Sequence, residues 1–536
     1  MFLGSSISSI ENSRVAIVLE DIRNPTFYKY FWQIVGTLES QNCQVMFVDI
    51  PGDVTGHSIG QNYFQLALKR IENSELAKIK YDFLKQIRRH TKNGIEVITL
   101  SEDEKIKISH GSASIIEVLG NAELSDLLKS SVASMYQTKI SKSIDLSICP
   151  RRHWGDIGKL VESFLATKNF LNRIDLRSKC DVLVFLNGRQ PHQASCIEYA
   201  EEWNLKWYSV EHNPFESKSK GFHFEPFLPQ DFISLQKNYL EKYQAFNHLA
   251  DQAKSVLDAW FQKQRDDGPT FGPDKERIKK ELGRLNSSKI FVIFTSTLSE
   301  YDYILQKQDK SWSQFEALER VVTKILSDFP DARIIVRIHP NQRNFSWNDF
   351  IELNQILQTL DVEIIQPWDG TTSYSVLDLA DYVVVWNSTI GLEAVYWGKK
   401  TVCMSSTFYN LVLEMPTLTP QNLQTFDFND AVYPKRADAL GALWFMLSSG
   451  EGITLEEQEG YLVPPIKFRR SQLLSRSFIR AIYLQLQYIA DRNYFGPLAR
   501  PVLLERLLTK ISTDKSSAFI LEMVTNHLSK SKNSPR

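Results

Sequence analysis

Short runs of consecutive apolar residues alternate along this chain with longer stretches whose apolar positions recur every three or four residues. That alternation predicts strands buried on both faces, joined by amphipathic helices. Val15–Leu19 (VAIVL) and Val45–Ile50 (VMFVDI) are the first two runs. Between them, Phe27, Tyr30, Phe31, Ile34, Val35 and Leu38 share one helical face within Thr26–Ser40. Strand, helix and strand of these lengths predict a parallel pair with a crossover, and Pro51-Gly52 ends the second strand.

The pattern blurs from Asn62 to about Ser147, a charged helical stretch with one strand at Glu96–Leu100, read as an insertion or an elaborated helical layer. It then sharpens. A helix over Asp156–Ile174 leads to the strand Val182–Leu186, the loop Asn187-Gly188-Arg189, a helix over Pro191–Trp203, the strand Leu205–Val210 and then Glu211. Gln264–Lys275 carries two Gly-Pro pairs and few apolar residues, so it is the natural linker.

A second series follows it. The strands are Lys289–Thr295, Arg333–Ile338, Val362–Pro367, Tyr382–Trp386 and Thr401–Met404. Ser313 and Glu316 match a capping box that opens a helix with Phe315, Leu318, Val322, Ile325 and Phe329 on one side. A helix over Ile390–Trp397 closes on Gly398. Two doubly wound, Rossmann-like α/β halves facing across a cleft are therefore expected, with extra helical elements. The boundaries are 1–265 for the first half with its insertion at 51–150, 266–287 for the linker, 288–465 for the second half, and 466–536 for a helical segment that packs back across the halves. The last residues, Ser529–Arg536, are expected to be disordered.

Composition narrows the class. Balanced charge (62 basic, 63 acidic, net −1) argues against a nucleic-acid partner. The five cysteines are scattered without a C-x-x-C pair, which fits reduced cytosolic thiols and no zinc site. The first residues, without a basic region or a long apolar run, are not expected to act as a signal peptide, and no apolar stretch is long enough to span a membrane. The basic stretch Lys467–Lys510, interleaved with apolar residues, either lies against anionic lipid or packs back on the core with a solvated face.

Ligands of open parallel sheets sit beyond the carboxyl ends of the strands. In the second half those positions hold Ser296 and Thr297, then Arg337 and His339, then Asn387, Ser388 and Thr389. Hydroxyls between a buried strand and a helix start complete a phosphate site, or simply cap the helix. Glu393, one turn into that helix, is either a ribose-binding carboxylate or a surface acid favoured by the helix dipole. His339 either meets a phosphate or leaving group or is a satisfied histidine. In the first half Asn187 and Arg189 are candidate acceptor contacts, and Glu211 is a candidate general base or an ordinary loop acid. P-loop, dinucleotide-fingerprint and zincin motifs are absent, and nothing implies a divalent metal.

FTSTLSE (Phe294–Glu300), VRIHPN (Val336–Asn341) and YSVLDLADYVVVWNSTIGLEAVYWGKKTV (Tyr374–Val402) together resemble the capsule polysaccharide biosynthesis glycosyltransferases, the group that includes bacterial Kdo transferases. The NGR loop with Glu211 downstream looks like the acceptor half of that group, so the resemblance covers roughly 180–410. It implies a GT-B fold and metal-independent transfer, without a cofactor, from a nucleotide-sugar to a capsular or lipopolysaccharide-type glycan or glycolipid. A CMP-linked sugar is one candidate donor. It puts His339, Ser388 and Thr389 on the donor phosphates, Glu393 on the ribose and the acceptor against the first half. It also implies a cytoplasmic enzyme, with peripheral attachment to the inner membrane or a polysaccharide-assembly complex open. Phosphoglycerol transfer, nucleotide-sugar epimerisation and an inactive GT-B scaffold are the alternatives.

Overall fold

The computed structural model describes residues 10–20, 26–51, 63–91, 95–101, 154–188, 190–212, 221–228, 231, 233–234, 236–237, 240, 254–267, 289–296, 312–340, 347–367, 369, 371–429, 435–448 and 451–452. The expected helical segment at 466–536, the Gly-Pro stretch from 268 onward, residues 52–62 and 102–153 of the expected insertion, and the site candidates Arg189 and Thr297 lie outside the described residues.

Two parallel sheets form, as the alternation predicts. The first unit runs β1 (Arg14–Leu19), α1 (Thr26–Ser40), β2 (Gln44–Asp49), α2 (Tyr63–His90), β3 (Glu96–Thr99), α3 (Trp154–Arg173), α4 (Leu176–Lys179), β4 (Val182–Leu186), α5 (Pro191–Glu202), β5 (Lys206–His212) and β6 (Gly221–Glu225). Helix α6 (Lys254–Asp267) leads into the second unit: β7 (Ile290–Phe294), α7 (Gln314–Asp328), β8 (Arg333–Arg337), α8 (Trp347–Thr359), β9 (Glu363–Ile365), α9 (Ser373–Leu379), β10 (Tyr382–Val385), α10 (Ile390–Tyr396), β11 (Lys400–Cys403) and α11 (Arg436–Ser448), with β12 (Glu451–Gly452) last.

Both sheets have the same winding. The first is ordered β12-β6-β5-β4-β1-β2-β3 and the second β11-β10-β7-β8-β9. In each, the chain starts at a central strand, lays two strands to one side, then crosses to the other. The strand order therefore reverses between β1 and β4 in the first sheet and between β7 and β10 in the second, and such switch points leave a crevice at the carboxyl ends of the strands. All pairings are parallel except β5–β6 and β6–β12.

Each sheet is buried on both faces because its strands are continuous β-branched and aromatic runs. In the first, Val15, Ile17 and Leu19 pack with α1 and α2, while Ala16 and Val18 pack with α3 and α5. In the second, Phe291, Ile293, Val336 and Val384 face α7 and α8, while Val292, Phe294, Ile335 and Val385 face α9, α10 and α11.

Several boundaries differ from the sequence reading for physical reasons. Helix α2 and strand β3 belong to the first sheet's own winding: Phe83, Leu84 and Ile87 of α2 join its core and β3 pairs with β2. Pairing with β6 carries β5 through Glu211 to His212, so Glu211 lies inside an antiparallel ladder opposite His223 rather than just past a strand end. Helix α6 precedes the Gly-Pro stretch, yet Leu257 and Phe261 belong to the core of the second sheet, with Phe261 stacked on Tyr396 at 3.8 Å between ring centres. Only half of the predicted capping box forms: the Ser313 hydroxyl accepts from the Glu316 backbone N–H at 3.2 Å.

Candidate functional site

The second switch point gathers the polar residues that the sequence singled out. Side chains alternate between faces along a strand. Continuing the parity of Phe294, Ile335 and Val385, residues Ser296, Arg337, His339 and Asn387 all fall on the sheet face that α10 covers. Their strands β8, β7 and β10 are neighbours. Short bonds knit these ends together: the His339 backbone N–H donates to Thr295 Oγ1 at 2.9 Å, and the Ser296 N–H donates to Gln314 Oε1 at 2.7 Å.

Arg337 is 1% exposed, and its Nη1 donates to the Gln366 carbonyl at 2.5 Å. A guanidinium stays charged under burial, so it places a fixed positive charge beneath this rim. Burial first, and the charge of Arg337 second, push His339 down to a pKa of about 4. At neutral pH the imidazole is uncharged, so it can offer hydrogen bonds but not a positive charge. Asn387 is buried at the start of the β10–α10 turn, with its side-chain amide nitrogen lacking a hydrogen-bond partner among the described residues.

The plain capping role does not hold for Thr389, which occupies the N-cap of α10 but makes no side-chain cap bond and is exposed. The Ser388 backbone carbonyl instead accepts from the Tyr409 hydroxyl at 2.6 Å. Glu393 is not a surface acid. It is 7% exposed and accepts a hydrogen bond at Oε2 from the Tyr374 hydroxyl, and burial pushes its carboxyl up to about 8. Tyr374 and Tyr409, both outside the sequence reading of the site, thus brace the side chain of Glu393 and the turn that leads into α10.

At the first rim, Asn187 follows β4 and its backbone N–H donates to the Val210 carbonyl at 3.1 Å, locking the loop to β5. Gly188 takes a φ of +77°, and a Cβ there would stand 2.3 Å from Leu228, so the turn requires glycine. The structure brings a further polar group here that the sequence reading did not find: Glu20, His192 and Gln193, joined across the β1–β4 crevice. No group of three or more His, Cys, Asp or Glu able to hold a metal occurs among the described residues, and no described helix is long and apolar enough to cross a membrane.

Comparisons with known proteins bear on the second rim. The chain matches no curated protein. Among solved structures it is similar to a KpsC beta Kdo 2,4 transferase of Thermosulfurimonas dismutans (14% identity, 49% of this chain and 78% of that one, TM-score 0.31). It is also similar to a UDP-GlcNAc 2-epimerase of Neisseria meningitidis bound to UDP-GlcNAc (10% identity, 81% and 99% covered, TM-score 0.22). A glycosyltransferase of Rickettsia africae ESF-5 is a third (11% identity, 81% and 95% covered, TM-score 0.26). The two-unit winding rests on this chain's own strand order rather than on likenesses this distant. A family model of capsule polysaccharide biosynthesis proteins matches residues 234–440, a span that holds Ser296, Arg337, His339, Asn387, Ser388 and Glu393. That match takes in the whole second rim, so across this span the chain is similar to the capsule polysaccharide biosynthesis proteins.

Proposed function

We propose that this chain is a glycosyltransferase of capsule assembly that moves a sugar from a nucleotide-sugar to a glycan or glycolipid acceptor. The observation that carries the reading is the placement of Ser296, His339 and Asn387 on one sheet face, at the ends of adjacent strands, inside the span matched by the family. A donor phosphate in that crevice would meet the Asn387 amide, the Ser388 and Thr389 hydroxyls and the His339 imidazole. The buried charge of Arg337 favours an anion there.

Transfer breaks the bond between the anomeric carbon and the phosphate oxygen, so negative charge grows on the leaving phosphate. Fixed donors and a fixed positive charge stabilise that growth without reorganising, which is the role a metal would otherwise fill. Glu393, beside the same turn, is placed to accept hydroxyls of the nucleoside. The acceptor lies against the first rim, near Asn187, where a carboxylate takes its proton; Glu211 is the candidate read from the sequence. Such an enzyme works on the cytoplasmic side, where nucleotide-sugars are made, and meets its acceptor at the inner membrane or in an assembly complex.

Thermal stability against CMP, CDP, UDP, GDP, ADP and dTDP tests the reading. A ligand at about 100 times its dissociation constant stabilises by roughly 2.7 kcal/mol, a shift of about 2–4 °C or more for domains of this size. One nucleotide is expected to give that shift, and CMP would indicate a Kdo-like or sialic-acid-like donor. No shift with any of the six would overturn the transferase reading in favour of a scaffold.

A further inference from the structure

The first sheet has its own switch point, and a polar centre unused by the donor-side site fills it. Glu20 stands immediately past Leu19, at the end of β1. Its carboxylate Oε2 accepts from His192 Nε2, and Gln193 Nε2 donates to its two oxygens at 3.2 and 3.1 Å. His192 and Gln193 belong to the first turn of α5, the helix that follows β4. The three side chains therefore bridge the crevice between the strands where the winding reverses.

The bridge is held from both ends. Gln193 Oε1 accepts from the Gln190 backbone N–H at 3.0 Å, which fixes the amide so that its nitrogen faces Glu20. The Tyr28 hydroxyl of α1 donates to the Glu20 backbone carbonyl at 3.0 Å. His192 Nδ1 is buried with no hydrogen-bond partner among the described residues.

Stability alone does not account for this arrangement. Polar groups in the interior are often no better for stability than apolar residues of the same volume, and an unsatisfied buried nitrogen costs about 1–3 kcal/mol. Polar groups kept at such a cost gather where chemistry is done. Exposure separates the roles within the trio. The His192 side chain is 0% exposed and that of Glu20 is 7% exposed, so Glu20 is the member that can meet a ligand. By strand parity Glu20 lies on the face of Ala16 and Val18, and Asn187 on the face of Leu183 and Phe185, which is the same face of the sheet. Glu211 is on a strand farther off: β4 lies between β1 and β5, which separates those two strands by roughly 10 Å across the sheet.

We propose that Glu20 is the proton acceptor for the acceptor hydroxyl in the transfer reaction, with His192 and Gln193 as positioning residues that aim its carboxylate at the first crevice. This rests on the transferase reading above. The acceptor O–H proton passes to the Glu20 carboxylate as the acceptor oxygen bonds to the anomeric carbon. The bond from that carbon to the phosphate oxygen breaks, and its electron pair leaves with the nucleotide. The carboxyl proton then returns to solvent.

The test uses the full chain, the nucleotide-sugar whose nucleotide stabilises it, and capsular oligosaccharides as acceptor. Glu20→Gln is expected to lower kcat by about 10²-fold or more, the usual worth of a general base. Nucleotide affinity is expected to stay within about two-fold of wild type, because that term reports ground-state donor binding alone. Gln193→Met, which keeps Glu20 but loosens it, is expected to raise the KM for acceptor and to restore much of kcat at saturation. Activity of Glu20→Gln within about three-fold of wild type, or a loss of that larger size in Glu211→Gln instead, would overturn the assignment. If Glu20→Gln does not fold, the pH–rate profile of Gln193→Met decides: a displaced acid limb supports Glu20, and an unmoved one removes it. A wild-type chain that binds no nucleotide would remove the transferase reading, and this inference with it. Nucleotide binding with an unimpaired Glu20→Gln removes this inference alone.

Discussion

Glu393 shows how a single side chain can be readable in kind but not in state. The sequence places an acid one turn after Asn387-Ser388-Thr389, and a surface position was as consistent with that spacing as a buried one. Which applies depends on what packs over α10, and Tyr374 and Tyr409 come from other elements. Burial lifts the carboxyl from its ordinary 4.5 to about 8, so the folded chain holds a proton through a window in which the unfolded chain releases it. Stability from this group is thus fully present below 4.5 and is lost as pH rises through about 8. Glu393→Gln keeps the shape and removes the titration. The melting temperature of wild type minus that of the variant is expected to fall steadily across that window and to level off on either side. A flat difference would mean that the carboxyl is solvated. His339 has the opposite sign: its pKa is lowered from 6.5 to about 4, so its contribution is lost as pH falls through that range.

At the scale of elements, α10 tests how closely the second rim is built. Gly391 sits where a Cβ would stand 2.1 Å from the Tyr409 hydroxyl and 3.0 Å from Val385. Tyr409 is fully buried and its hydroxyl is committed to the Ser388 carbonyl, so it cannot swing away cheaply. Gly391→Ala is expected to destabilise the chain by about 1–3 kcal/mol, the usual cost of overpacking. In a double-mutant cycle, Tyr409→Phe should recover part of that loss, because it removes the nearest atom. Strict additivity of the two changes would show that the contact is not where the strain lies. The strand before this helix, its start at Ile390 and its stop were legible because each is local. Gly398 and Lys399 return bonds to Val395 and Ala394 in a cap that the glycine alone announces. The Tyr409 contact was not legible, since it comes from a loop without periodicity. For the same reason the extension of β5 was missed: its length is set by β6, an antiparallel partner that β5's own residues do not announce.

At the scale of the whole molecule the two-unit winding was readable from the order of strands and helices, whereas the contacts that tie distant segments together were not. Glu20 and His192 are 172 residues apart, and no local pattern links them. Gln236 is another such tie. It lies between β6 of the first sheet and α6, which packs in the core of the second. Its fully buried amide donates to the Thr407 carbonyl at 2.5 Å and to Asn410 Oδ1 at 3.1 Å, and it accepts from the Leu411 and Val412 N–H groups at 2.7 and 3.4 Å. One side chain thus organises the 407–412 loop, and that loop carries Tyr409 to the Ser388 carbonyl of the donor-side turn. Gln236→Leu keeps most of the volume but strands the loop's donors and acceptors, at a cost of about 1–3 kcal/mol for each buried group left unpaired. The expected result is a lower melting temperature together with a smaller stabilisation by the bound nucleotide, because the turn that holds the phosphate loses its brace. A lower melting temperature with an unchanged nucleotide shift would show instead that Gln236 serves the fold and leaves the donor site untouched.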